Sequence, residues 1–361
     1  MKHLNSITIL AILAFSIPYS IQAKIWRVNN QSNFDNTANF GENYGGSPAY
    51  PVFKEINDAV QNPNVIDGDT LYVAGSSALY ENAEISKRLV IIGPGYFLTE
   101  NEAVSKNVAS ATLDILTFDV GSTGSQIIGF SFDDNSRNDV VIRTSDITVK
   151  LCRFEGRIIF SAAGIIETMI VQCFLTQKNT EFFSASNTNN VPSNIIFNNN
   201  IVQRNFIWEG NLEECNNNIF DGPPNELAVE VNAGSFKNNI LKAPGSTANI
   251  NNGSNANVSH NTVSNAAALS GTPNLIVEPS MGNLFVGGGS TDGQYQLKEG
   301  ASANQPGSDG SERGAFGGQF VHKRYTLSGL PPIPVLYGLI TSGVSQPGEG
   351  LPIEIKARIV E

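Results

Sequence analysis

An all-β parallel β-helix, entered through a short N-terminal capping helix, is the fold this sequence predicts. Three observations predict it: similar short motifs recur at a nearly constant step, each copy holds three short extended pieces without helical spacing, and asparagines return at one place in each copy. Aligned on the apolar residue after the turn, the motifs GFSFDD, LCRFEG, VQCFLTQ, NNNIVQ, NNNIFDG, KNNILKA and SHNTVSN succeed one another. Their key residues are Phe132, Phe154, Phe174, Ile201, Ile219, Ile240 and Thr262, at steps of 22, 20, 27, 18, 21 and 22. A chance series of hairpins has no reason to hold that step, so each copy reads as one unit stacked on the last.

The elements follow in chain order. Residues 1–23 carry Lys2, an apolar run from Ile7 to Phe15 and Ala23 after a polar patch, the layout of a secretory signal peptide cleaved after Ala23. The run is shorter than the roughly 20 residues a membrane-spanning helix needs, so no membrane span is expected after cleavage. Residues 24–326 are assigned to the β-helix. Within them YPVFKEINDAV (50–60) places Phe53, Ile56 and Val60 at helical spacing, a short helix that caps the open end of the coil and its unpaired strand edges. The first coils are GDTLYVAG, ENAEISKRLVIIGPG, ATLDILTFDV and SQIIGFSF.

From residue 140 onward each copy runs through a first piece (VVIR, RIIF, EFFSA, FIWEG, AVEVN, ANINN), a second that enters the turn (ITVKLC, MIVQC, NIIFN, LEECN, SFKN) and a third that leaves it (IVQ, IFDG, ILKA). At the turn, Asn200, Asn218, Asn239 and Asn261 are expected to form a column at one corner. Each is expected in a left-handed turn position, with its amide bonded to the amides above and below. Residues 327–361 are assigned to a proline-containing linker and a short C-terminal strand pair made by VLYGLI and IEIKARIV, with a cover for the coil's end and the stub of an attachment region as the alternatives.

Composition narrows the function. The chain has 22 basic and 33 acidic residues, net −11; loss of Lys2 with the signal leaves 21 against 33, or −12. That excess opposes nucleic acid or an anionic membrane as partner, since both require clustered Lys and Arg. With 15% charged and 40% hydrophobic residues the chain is able to bury a large core. Cys152, Cys173 and Cys215 have no metal-ligand spacing and are odd in number. They read as buried apolar thiols, with a Cys152–Cys173 disulfide as the alternative.

The opening helix, Gly-Asp-Thr-Leu-Tyr-Val, Tyr-Glu-Asn, Ile85-Ser-Lys87 and LVIIGPG resemble the start of secreted right-handed parallel β-helix proteins of the pectin-lyase-like superfamily. The segment YQLKEGASANQPGSDGSERGAFGG (295–318) is similar to the closing segment of bacterial surface β-helix proteins, where a D-G-x-x-x-G-A pattern, matched by Asp309, Gly310, Gly314 and Ala315, ends the coil. The resemblance covers roughly residues 25 to 320, and implies fold far more than activity. Enzymes of this superfamily act on acidic polysaccharides, but their catalytic sets do not transfer. Of the polygalacturonase pattern only Asp133-Asp134 remains; His260 and His322 lack flanking glycines on both sides; the Arg-x-Pro-x-x-Arg of pectate lyases and the aspartate pair of pectin methylesterases are missing.

Two clusters remain as candidates. Asp133, Asp134, Asp139 and Glu155, near Arg143 and Arg157, offer carboxylates for Ca²⁺, the one cofactor considered; the competing reading is a solvated loop with surface ion pairs. On the first-strand face, Arg143, Trp208, Glu209 and Glu230 offer an aromatic platform and carboxylates to a sugar, although alternation points either Ile207 or Trp208 inward. If their registers match, Glu209 and Glu230 stand one coil apart. No catalytic residue and no metal site is assigned. The expected protein is a monomer, bacterial, secreted or on the cell surface, that presents a non-catalytic face for glycan binding or adhesion, with polysaccharide or cell-surface glycan as partner. The alternative is a polysaccharide lyase or hydrolase acting on acidic polysaccharide.

Overall fold

The structure, a computed structural model, describes residues 23–34, 40–101, 107–133, 138–176, 183–185, 191–222, 228–242, 247–251, 257–341 and 353–359. Most of the proposed leader, and Asp134, lie outside the described residues. Three parallel sheets carry the chain. The first has twelve strands between Ile25–Val28 and Asn257–Ser259, the second nine between Thr112–Leu113 and Ile276–Val277, the third five between Ala83–Ile85 and Phe183–Ala185. The chain visits them in rotation: Val90–Ile92 in the first, Thr112–Leu113 in the second, Leu116–Phe118 in the third, then Gln126–Ile128 in the first again. Each strand pairs parallel with its equivalent one circuit away, an all-β arrangement compatible with a parallel β-helix.

Alternation along these short strands builds the core. On the first sheet Trp26, Leu71, Ile91, Ile127, Val149, Ile170 and Phe197 stand in register, all buried, one per circuit. Burying each such side chain is worth roughly 1.5–3 kcal/mol, and stacking like on like keeps the strands in step. The free cysteines belong to this interior: Cys152, Cys173 and Cys215 are unpaired by disulfides and buried, and burial pushes the thiols of Cys173 and Cys215 well above the ordinary range.

The opening helix is shorter than its periodicity suggests. Helix α1 spans Ile56–Gln61 and buries Ile56, Ala59 and Val60, and Glu55 and Asp58 close a capping box at its start. Phe53 belongs instead to a strand, Val52–Phe53, paired with Val28. Helical spacing alone cannot separate the last residue of a strand from the first turn of a helix.

The register of the second sheet also corrects the alignment of the repeats. Ser131, Arg153, Phe174, Ile201, Ile219, Ile240, Thr262 and Ile276 form one row. Phe132 and Phe154 belong to the adjacent row, with Leu175 and Val202. From Phe174 to Ile240 both rows are apolar and buried, whereas the two earlier circuits put Ser131 and Arg153 in the first row, so an alignment on apolar residues slips by one there. The row of Phe132 faces the interior, whereas Phe174, Ile201, Ile219 and Ile240 face outward beneath Tyr295, Ala315 and Tyr325.

That cover comes from residues 281–330, which fold back across the outer face of the second sheet instead of closing the stack at its end. Gly314, at φ +87°, lies so close to Ile240 and Ile219 that a β-carbon there would stand 2.8 Å from Ile240 Cδ1. Here the D-G-x-x-x-G-A pattern is a packing device. Beyond it, Pro334–Thr341 and Ile353–Ile359 pair antiparallel as a two-stranded hairpin.

In the later circuits the first and second pieces fuse into single strands, Phe206–Glu214 and Ala228–Lys237, with an irregular register between Ile207 and Asn211.

Candidate functional site

The three consecutive asparagines of NNN (198–200 and 216–218) have three different roles. The third is the expected column. Asn218 Oδ1 accepts from the amide nitrogen of Asn200 at 2.9 Å and from Asn200 Nδ2 at 3.1 Å, while Asn218 Nδ2 donates to Phe197 O and Asn239 Oδ1. Asn239 and Asn261 repeat the pattern, and Asn200 Oδ1 accepts from the amide of Cys173, so Cys173 takes the next place in the column. The left-handed residue, however, is the second asparagine: Asn199, Asn217, Asn238 and then His260 have φ of 56–58°. The ladder residues need extended backbone to point inward, so the turn is made one position earlier.

Side chains of that left-handed column hold the covering segment. Asn199 Nδ2 donates to Ala315 O and Gly317 O at 2.9 and 2.7 Å, and Asn238 bonds Ser308 through both its amide atoms. His260 continues the column, one ring nitrogen 3.0 Å from Ser259 Oγ and the other 2.9 Å from Asn274 Nδ2. Burial, with Arg313 and Lys237 adding to it, pulls its imidazole below the ordinary histidine range. The first asparagine of each triplet makes a second, outer ladder: Asn198 Oδ1 accepts from Asn216 N, and Asn216 Oδ1 accepts from Lys237 N and Ser235 Oγ.

Between this outer ladder and the covering segment lies an open cleft of about 440 Å³. Glu213, Glu214, Asn216 and Lys237 form its sheet side, and Ser308 and Asp309 its segment side. Gly234 leaves the space between them unfilled. Glu214 Oε2 accepts from Asn198 Nδ2 at 2.6 Å, and Asp309 Oδ1 caps Ser311. Asn217 also lines the cleft; it is 7% exposed and its Nδ2 has no hydrogen-bond partner. The lining is polar throughout, with three carboxylates and one ammonium.

The residues singled out from sequence lie elsewhere. Trp208 is 4% exposed, packed against Phe160 and Phe206, and cannot serve as an outward platform. The side chain of Glu209 lies outside the described residues. Glu230 is exposed, but stands in register with Ile207 and Asn249, not with Glu209, because the irregular register after Ile207 shifts the row. Arg143 is exposed and pairs with Asp119 at 3.4 Å.

The acidic cluster is similarly divided. Asp139 is fully buried, and its Oδ2 accepts from the amides of Glu155 and Gly156 at 3.1 and 2.6 Å; Glu155 pairs with Arg153. Asp133 follows the second-sheet strand Ser131–Phe132. Arg157 pairs in register with Asn138, whereas Arg143 lies past the other end of that strand, five residues on and about 16 Å away at roughly 3.3 Å per residue. Among the described residues no group of three or more His, Cys, Asp or Glu side chains could hold a metal ion.

No protein-family model, curated protein or solved structure matches this chain. Sequence reasoning missed the cleft because its two walls are some 70 to 95 residues apart in the chain. The only local signal was the triplet itself, whose first two asparagines the inner column does not require.

Proposed function

We propose that the protein is an exported, right-handed parallel β-helix of the pectin-lyase-like kind that binds glycan at the bacterial cell surface without cutting it. The observation that carries this reading is the cleft beside the outer asparagine ladder. Ligand pockets for drug-sized molecules are mostly apolar, whereas this one is open and lined by carboxylates, amides, hydroxyls and an ammonium. Such a lining suits a ligand whose surface is itself hydroxyl groups. The right-handed sense follows from the general preference of parallel crossovers. Among the described residues no helix is long and apolar enough to cross a membrane.

Export is tested by N-terminal sequencing of the secreted protein, which should begin at Lys24; a mature chain that begins at Met1 would reject it. Binding is tested on a glycan array, with parallel assays for new reducing ends and unsaturated products on pectate, alginate and chondroitin. Retention of a glycan with no turnover is the expected result. Turnover of any of the three would transfer the reading to the lyase or hydrolase alternative.

A further inference from the structure

We infer that the cleft between the outer asparagine ladder and residues 308–309 takes a neutral, polyhydroxylated saccharide and discriminates against uronates, an inference that rests on the glycan reading above. Charge is the first reason. Glu213, Glu214 and Asp309 set three carboxylates against the single ammonium of Lys237, a balance of −2 at the cleft. Each further carboxylate on a ligand would enter against like charge in a partly desolvated space, where Coulomb terms exceed their value in bulk water.

Hydrogen-bonding capacity is the second. Within the fold, Asn216 Oδ1 is fully engaged, which leaves its Nδ2 as donor; Glu214 retains one carboxylate oxygen as acceptor. Among the described residues neither the Glu213 carboxylate nor the Lys237 ammonium has an ion-pair partner. Donors and acceptors thus alternate across the cleft. A sugar hydroxyl both donates and accepts, so neighbouring hydroxyls match a carboxylate oxygen on one side and an amide or ammonium on the other. A uronate carboxylate only accepts, and would find Lys237 as the one cation among three carboxylates.

Gly234 keeps the approach open, since a side chain there would grow from a β-carbon only 3.0 Å from the Glu213 carbonyl.

The test uses the secreted full-length protein and calorimetric titration at low ionic strength, where charge is least screened. The probes are neutral cello-, manno-, xylo- and galacto-oligosaccharides, with oligogalacturonate of matched length as the acidic probe. At least one neutral probe is expected to bind about tenfold or more tighter than oligogalacturonate. Glu213→Gln and Lys237→Gln should each weaken that neutral probe by about five- to tenfold, with unchanged circular dichroism and melting, since among the described residues neither side chain is tied to the fold by a hydrogen bond or ion pair. Glu213→Gln should also narrow the gap to oligogalacturonate. Tighter binding of oligogalacturonate, or neutral binding indifferent to both variants, overturns this inference while leaving the glycan reading in place. Failure of every neutral probe, where the array shows another glycan bound, does the same; failure of the array as a whole removes both.

Discussion

Replacement of Asn218 by leucine should lower the stability of the protein by on the order of 3 kcal/mol, about 5 °C in melting midpoint for a chain of this size. The Asn218 amide is hydrogen-bonded through both its oxygen and its nitrogen inside the stack, and its oxygen serves both the main-chain and side-chain nitrogens of Asn200. Leucine leaves those donors buried without acceptors, and branched carbon cannot refill a site that is fully enclosed. A β-carbon penalty is not part of this loss, because Asn218 is not the left-handed residue. Asn217 is, and Asn217→Gly should therefore cost less than Asn218→Leu, since glycine adopts φ 56° freely and only one long bond, from Asn238 Nδ2 at 3.4 Å, is lost. Equal midpoints for wild type and Asn218→Leu, or a larger loss from Asn217→Gly than from Asn218→Leu, would overturn this account of the corner.

Arg204→Met should be at least as damaging, on the order of 3 kcal/mol or more. Arg204 is 1% exposed and its guanidinium donates to the carbonyls of Gly156, Glu155 and Phe154 at 3.0, 3.2 and 3.3 Å, and to Thr176 O. It therefore ties three successive circuits together at the corner where Asp139 receives the amides of Glu155 and Gly156. Methionine keeps much of the stem but donates nothing, so several buried carbonyls lose their partner at once. Arg204→Lys should recover only part of the loss, since an ammonium lacks the fixed fork that reaches three carbonyls. Denaturant unfolding measures both, and a midpoint for Arg204→Met equal to that of the wild type is the result that excludes this role.

Arg204 also shows where local reading stops. In the sequence it is a single cation after VQ, indistinguishable from a solvated surface arginine; its partners lie 28 to 50 residues earlier. The same holds for Trp208. Alternation left two faces open to it, and the choice was made by Phe160 and Phe206, which pack against it in the interior. Glu209 and Glu230 are 21 residues apart, close to the repeat step, yet the irregular register after Ile207 places Glu230 beside Ile207. A carboxylate pair inferred from spacing does not survive one local irregularity: the offset is 23 residues at Ile207↔Glu230 and 21 at Asn211↔Asn232, so Glu230 keeps its face but meets a residue two positions before Glu209.

What the sequence by itself determined is whatever repeats. A step near 21 residues, three short extended pieces per copy and a recurrent asparagine were enough for parallel sheets visited in rotation and for a polar ladder inside the corner, because each copy sees the same neighbours one circuit away. What only the tertiary structure decided is whatever meets once. The outward row of Phe174, Ile201, Ile219 and Ile240 is as apolar as the inward row, so which one faced the core was unreadable until residues 281–330 folded back over it. The cleft arises from that same return: Ser308 and Asp309 reach the ladder of Asn216 and Lys237 only because Asn199 and Asn238 hold the covering segment on the stack. Contacts between repeats are local in register and leave a periodic trace; a contact between a repeat and a segment outside it leaves none.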